Sequence, residues 1–470
     1  MDSLADSYDL IVVGCGAAGL SAGVGYLEAA RQQGHRPRVA ILESAPPEQR
    51  GGATRWTTAR FRACQDYSLD PFFVGKMQEI SKGLSDIEYC RTLEAEVPDT
   101  LRFLEAHGLE LVHYGPPVAM GVEHEVTPNG GGHAIVEALA KVIEDSDGAQ
   151  ILYRMEALRL NLAGDGRVDG VVVRGPDGLL RTLHGTAVVL ACGGFEGNKE
   201  MLTRYIGANA CDLPLLAPGL GYNQGAGIRM AMEVGAAMSG QFDMIHSELV
   251  DRRTDRADAA IYGHPFGIVV NGDGHRFYDE GQGTFEETFE LIAYEVWRNQ
   301  KQTAFFVADQ TITKHPGIMV LFDTDKPPVE ADSMPELAAM LGLEAEPLVK
   351  TVEDYNAAVG PGEFDPNQRD GKATSGLTPD KSNWAYRLEH PPFLAYPLTA
   401  AICFTYGGIR TDSKARVVSG NGTPIPGLYA AGEIVGLYFH EYPAGTSVLR
   451  SLTFGRIAGA HAAQSALQNS

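Results

Sequence analysis

Gly14-Cys15-Gly16-Ala17-Ala18-Gly19 has the spacing G-x-G-x-x-G, and the chemistry that this spacing supports is the holding of a pyrophosphate. Gly14 permits a tight turn, Gly16 lets the backbone approach the phosphates, and Gly19 lets a helix pack on a strand. A helix that opens at the turn aims unpaired N–H groups and the positive end of its dipole at the phosphates. Glu43, 24 residues beyond Gly19, stands where an acid binds ribose hydroxyls. Arg55, Arg60 and Arg62 form a basic cluster a little further on, a carboxylate clamp in an otherwise acidic chain. Three elements must position the turn. Asp9 to Val13 reads as an apolar strand, Leu20 to Arg31 as a helix rich in Ala and Leu, and Arg38 to Leu42 as a second strand. Together they make a βαβ unit that binds a dinucleotide.

Further stretches carry a resemblance. Glu43 is followed by Ser44 and then by Gly51-Gly52-Ala53-Thr54-Arg55. Two strands end in small residues, Ala187 to Leu190 running into Ala191-Cys192-Gly193-Gly194, and Gly427 to Ala431 running into Gly432-Glu433. Asn223 to Ala231, Gly267 to Glu280, Thr405 to Ile409 and Phe454 to Gly459 follow in order. From residue 9 to residue 463 the chain resembles the fumarate reductase and succinate dehydrogenase flavoprotein family. Phe404-Thr405-Tyr406-Gly407-Gly408 and Tyr442-Pro443-Ala444-Gly445-Thr446-Ser447 look most like its tricarballylate dehydrogenase branch. The resemblance implies FAD, held by the residues quoted above together with Ala157 and with Ser447, Val448 and Leu449 at the flavin pyrimidine. Gly52 to Trp56 holds no histidine, so a non-covalent flavin is expected.

In this family a flavin takes hydride from one carbon while a base takes the neighbouring proton. The acid/base is an arginine on a capping domain, and a histidine and a second arginine hold substrate carboxylates. His246, in Phe242 to Ser247, matches the carboxylate-binding histidine. The cap arginine falls on Thr284, a second histidine on Cys403, and the second arginine near Tyr442, so three positions depart from the pattern. An authentic fumarate reductase or succinate dehydrogenase is therefore not expected. Arg450 can neutralise a reduced flavin or hold a carboxylate, and the phenols of Tyr442 and Tyr406 can donate a proton. His440, Glu441 and the run Glu123-His124-Glu125 are further candidates.

A chain of 470 residues predicts two domains. The fold expected is α/β, a Rossmann-like FAD-binding domain interrupted by an inserted α+β cap. Residues 1–247 and 376–470 form the cofactor domain, and 248–375 form the cap. A net charge of −22 argues against nucleic acid and anionic membrane surfaces, and it requires local positive charge if the substrate is an anion. The six cysteines form no C-x-x-C pair, which speaks against zinc and iron–sulfur sites and for a reducing, cytoplasmic setting. The acidic Met1 to Asp6 is not a signal peptide, and no apolar run is long enough to span a membrane. The expected function is FAD-dependent interconversion of C–C and C=C beside a carboxylate or carbonyl, with an unidentified electron acceptor. A tricarballylate-like polycarboxylate comes first as substrate. A ketone or ketosteroid-type dehydrogenase, and a non-catalytic electron-transfer subunit, are the alternatives.

Overall fold

The computed structural model describes residues 7–115, 118–119, 121–122 and 124–468. The expectations placed on Met1 to Asp6 and on Glu123 lie outside the described residues. The strand Ser7–Val13 is buried on both faces, as a near-continuous apolar run requires of a central parallel strand. Val39–Glu43 pairs parallel on one side of it and Leu180–Leu190 on the other, with Val12 opposite both Ile41 and Val189. Ala149–Tyr153 extends the sheet beyond Val39–Glu43. Pro424–Ala430 extends it beyond Leu180–Leu190, and Arg416–Val418 closes that edge antiparallel. Glu156–Leu162 and Val168–Arg174 form an antiparallel flap on Leu180–Leu190. This is the expected α/β, Rossmann-like arrangement, and it places Gly14 and the residues after Leu190 and Ala430 at one end of adjacent parallel strands.

Two helices of small residues lie against each other on this sheet, Ala17–Gln32 and the C-terminal Ser447–Gln468. A Cβ on Gly455 would lie 2.3 Å from the Ala18 carbonyl oxygen, and one on Gly459 2.0 Å from that of Ala22. The backbones meet there, which fixes the start of the C-terminal helix beside the glycine turn.

A second, antiparallel sheet runs in the order Ile245–Asp251, Phe393–Thr405, Ala304–Asp309 and Ile268–Asn271, with Val329–Ala331 on Phe393–Thr405. Helix Phe285–Asn299 packs on it. The expected limits of the cap cut this sheet at both ends. Its strands begin at Ile245 rather than after 247, and Phe393–Thr405, placed by sequence with the returning cofactor domain, pairs here instead. The cause is that this strand is apolar on both faces, so its pattern is the same in either sheet. Among the described residues no helix is long and apolar enough to cross a membrane.

Candidate active site

One cavity of about 610 Å³ runs from the glycine turn to the antiparallel sheet. Gly14 has φ +109, and a Cβ on it would lie 2.3 Å from the Ala191 carbonyl oxygen. Gly16 differs, because the atoms nearest a Cβ there are 3.5 and 3.6 Å away, on Gly51 and Thr54. The space beside it is left for a ligand. Gly16 is also the N-cap of Ala17–Gln32 and offers no side-chain acceptor. Thr54 compensates in part by accepting the Ala17 N–H at 3.1 Å. Glu43 is buried at the end of its strand and accepts the Ala45 N–H at 2.8 Å. Burial raises its pKa, while the N–H groups of Ala45, Cys15 and Gly51 pull it back.

Gly14, Gly16, Ala17, Ala18, Glu43, Ser44, Gly51 to Thr54, Ala157, Ala191 to Gly193, Gly432, Glu433, Ser447 and Val448 all line this cavity. Gly19, Leu449 and Arg55 do not. A Cβ on Gly19 would sit 1.9 Å from the Gly14 carbonyl oxygen, so Gly19 serves chain packing. Leu449 is buried in helix packing, and Arg55 donates to Glu137 at 2.7 Å on the wall of a neighbouring groove. The residues present fit an FAD. They supply a backbone cradle at Gly16, a buried acid at Glu43, and small-residue strand ends against which a flat ring lies.

At the other end His246 is 3 % exposed and held between two carboxylates. Its Nδ1 is 3.0 Å from Glu290 Oε1 and its Nε2 is 3.1 Å from Glu248 Oε1. Burial alone lowers the imidazole pKa, but the two carboxylates outweigh it and raise it to about 9. The ring is therefore an imidazolium whose charge is spent on the protein. Phe289, Phe404 and Tyr442 surround it. Glu248 also accepts the Tyr262 hydroxyl at 2.7 Å, and Glu290 accepts the Tyr442 N–H at 3.0 Å. The Tyr442 oxygen accepts the N–H groups of Thr446 and Ser447, each at 3.0 Å, which leaves its own O–H to point elsewhere. Tyr442 lines the cavity, whereas the Tyr406 hydroxyl lies behind it and donates to Glu290.

The expected clamp of arginines is dispersed. Arg62 pairs with Asp70 at 3.4 Å and Arg60 with Glu125 at 3.8 Å, and of the three only Arg60 lines the main cavity. Arg450 lines it and is 2 % exposed, but one nitrogen donates to the Val435 carbonyl at 2.8 Å and the guanidinium lies 4.8 Å over the Tyr438 ring. Thr284 caps helix Phe285–Asn299 in a capping box with Glu287. Cys403 lines the cavity as a thiol whose pKa burial pushes up. The ligand atoms of His246, Glu248 and Cys403 lie within 4.8 Å of one another, but both imidazole nitrogens are already engaged by carboxylates. His440 and Glu441 lie off the cavity wall and His124 is exposed.

Sequence reasoning missed Glu248, Glu286, Glu290, Asp258 and Tyr262. Three of them carried a signal. His246 and Glu248 are two apart on a strand and so share a face, and Glu286 and Glu290 are four apart on a helix.

The chain is similar to the fumarate reductase (cytochrome) of Shewanella frigidimarina, with 25% identity over 99% of this chain and 78% of that protein. It is 30% identical to the 4-oxocyclohexanecarboxylate 2-dehydrogenase of Sinomonas cyclohexanicum over 70% of this chain and 60% of that one. Its fold matches the open conformation of a flavocytochrome c3 fumarate reductase with a TM-score of 0.80 at 24% identity, covering 99% of this chain and 79% of that one. A family model described as an FAD binding domain, FAD_binding_2, matches residues 9–448, and the chain belongs to that family.

Proposed function

We propose that this FAD-dependent oxidoreductase interconverts C–C and C=C beside the carbonyl of an uncharged substrate. The observation that carries the reading is the charge at the far end of the cavity. His246 is neutralised by Glu248 and Glu290, Arg450 is turned to Val435, and Glu125, Glu286, Glu248 and Asp258 line the wall. Around them stand Phe285, Phe289, Phe404, Tyr262 and Tyr442. Aromatic walls with hydroxyl donors suit a ketone, and the charge of His246, already taken up by two carboxylates, offers little to a di- or tricarboxylate. The relative from Sinomonas acts on a cyclic ketone by its name.

FAD, when bound, supplies two-electron chemistry by taking or returning hydride. The chain supplies placement. The Gly16 turn holds the pyrophosphate, Glu43 the ribose, and Tyr442 donates its O–H to the substrate carbonyl. Binding is non-covalent in this reading. Gly52 to Trp56 holds no histidine, and His246, which lines the cavity, has both nitrogens engaged. A separate acceptor removes the electrons. A cytoplasmic location accords with six cysteines that all remain thiols.

A tricarballylate-like substrate is the second reading, favoured by Arg60 and the protonated His246 on the wall. An anaerobic screen decides between them. Cyclohexanone and related cyclic ketones should bleach the flavin, whereas tricarballylate and succinate should not. The reverse pattern transfers the assignment to polycarboxylates. Bleaching by none of them, with FAD bound, leaves an electron-transfer subunit.

A further inference from the structure

We infer that Glu286, with Glu125 beside it, is the group that exchanges the substrate proton in the cavity. Glu286 is the second residue of helix Phe285–Asn299, two positions past Thr284, and it lines the same cavity as His246, Phe404 and Tyr442. It is 9 % exposed, yet its Oε2 has no hydrogen-bond partner. A buried carboxyl oxygen left without a partner costs about 1–3 kcal/mol. That oxygen is open to a group that enters the cavity. Thr284 is consumed by the helix cap and Glu287 by Thr284 and Arg369, so neither competes for the role.

The groups that face Glu286 set its protonation. Burial raises its pKa well above the ordinary carboxylate range, and the Glu125 carboxyl raises it further. Arg62, Arg60 and the Val122 N–H pull it down. Glu125 is itself raised by burial and lowered by Arg60 and Arg62. Two carboxyls of like charge in one buried site share a proton. Arg60 also lines the neighbouring groove.

This inference rests on the carbonyl reading for its substrate. During oxidation the C–H bond next to the carbonyl breaks, its proton passes to the Glu286 carboxylate, and its electron pair becomes the C=C bond. FAD, when bound, would be the two-electron acceptor for the hydride of the next carbon. Reduction reverses each transfer, with Glu286 giving the proton.

The test uses the FAD-loaded full chain as wild type, Glu286→Gln, Glu286→Asp and Glu125→Gln. Infrared difference spectra across neutral pH should show a buried protonated carboxyl that titrates in the wild type, is lost in Glu286→Gln and returns in Glu286→Asp. With cyclohexanone as probe, Glu286→Gln should slow flavin bleaching by about 100-fold or more, the usual worth of general acid–base catalysis. Its FAD content should equal that of wild type. Glu125→Gln should shift the titration of the Glu286 band to lower pH. A carboxyl spectrum that is identical in wild type and Glu286→Gln, or wild-type bleaching by that variant, overturns the inference. If cyclohexanone bleaches no form, the carbonyl reading fails, and the infrared titration alone still decides the state of Glu286.

Discussion

His246 shows how little a residue type says about its charge partners. The side chain that sequence places on a substrate carboxylate is bound instead by Glu248 and Glu290. Its folded pKa of about 9 lies above the ordinary value of 6.5. The contribution to stability is therefore fully present below about pH 6.5, declines as pH rises, and is gone above about pH 9, a span of about 3 kcal/mol. Glu290→Gln should flatten the fall in melting temperature between those pH values, which calorimetry of both forms across the range will show. The cofactor residues were far more legible. Gly14, Gly16 and Glu43 stand in one local motif whose spacing encodes geometry, so Gly16→Val should leave a folded protein that retains no FAD on gel filtration. Of Glu286 only the helix-face spacing to Glu290 was legible, because its partners Glu125 and Arg60 are distant in sequence.

Elements follow the same divide between local and non-local causes. The start of helix Phe285–Asn299 depends on the Thr284–Glu287 box. Thr284→Ala should cost about 1 kcal/mol in denaturant unfolding and leave FAD content unchanged. Helix Ile87–Ala106 passes through Pro98. Its buried face, including Leu93, Val97, Leu101 and Leu104, outweighs the lost backbone bond. Helix Met334–Leu341 ends at Gly342, whose φ is +74, before Ala345–Ala358 begins. The contact of Gly459 with the Ala22 carbonyl, invisible in either helix alone, suggests a sharper test. Gly459→Val should destabilise by about 1–3 kcal/mol. It should also weaken FAD retention, because the displaced helix Ala17–Gln32 carries the phosphate cradle. Fluorescence of released flavin during urea titration reads both effects.

At the scale of the molecule, the cavity lies between a parallel sheet that holds the cofactor end and an antiparallel sheet that holds the acidic end. The whole chain carries a net charge of −22, and at the substrate end Glu248 and Glu290 face the single imidazolium of His246. An anion approaching this cavity moves against a negative potential that salt screens within about 10 Å at 0.1 M. An uncharged ketone does not feel it. The second-order rate constant for flavin bleaching should therefore separate the two substrate classes without reference to which one binds better. For cyclohexanone it should change less than about 2-fold between low and high salt, whereas for tricarballylate any residual rate should climb steeply as salt rises. Stopped-flow measurement at fixed pH supplies both curves. A ketone rate that rises with salt like the anion's would mean that the field acts on the flavin step itself, and the charge argument for an uncharged substrate would lose its footing.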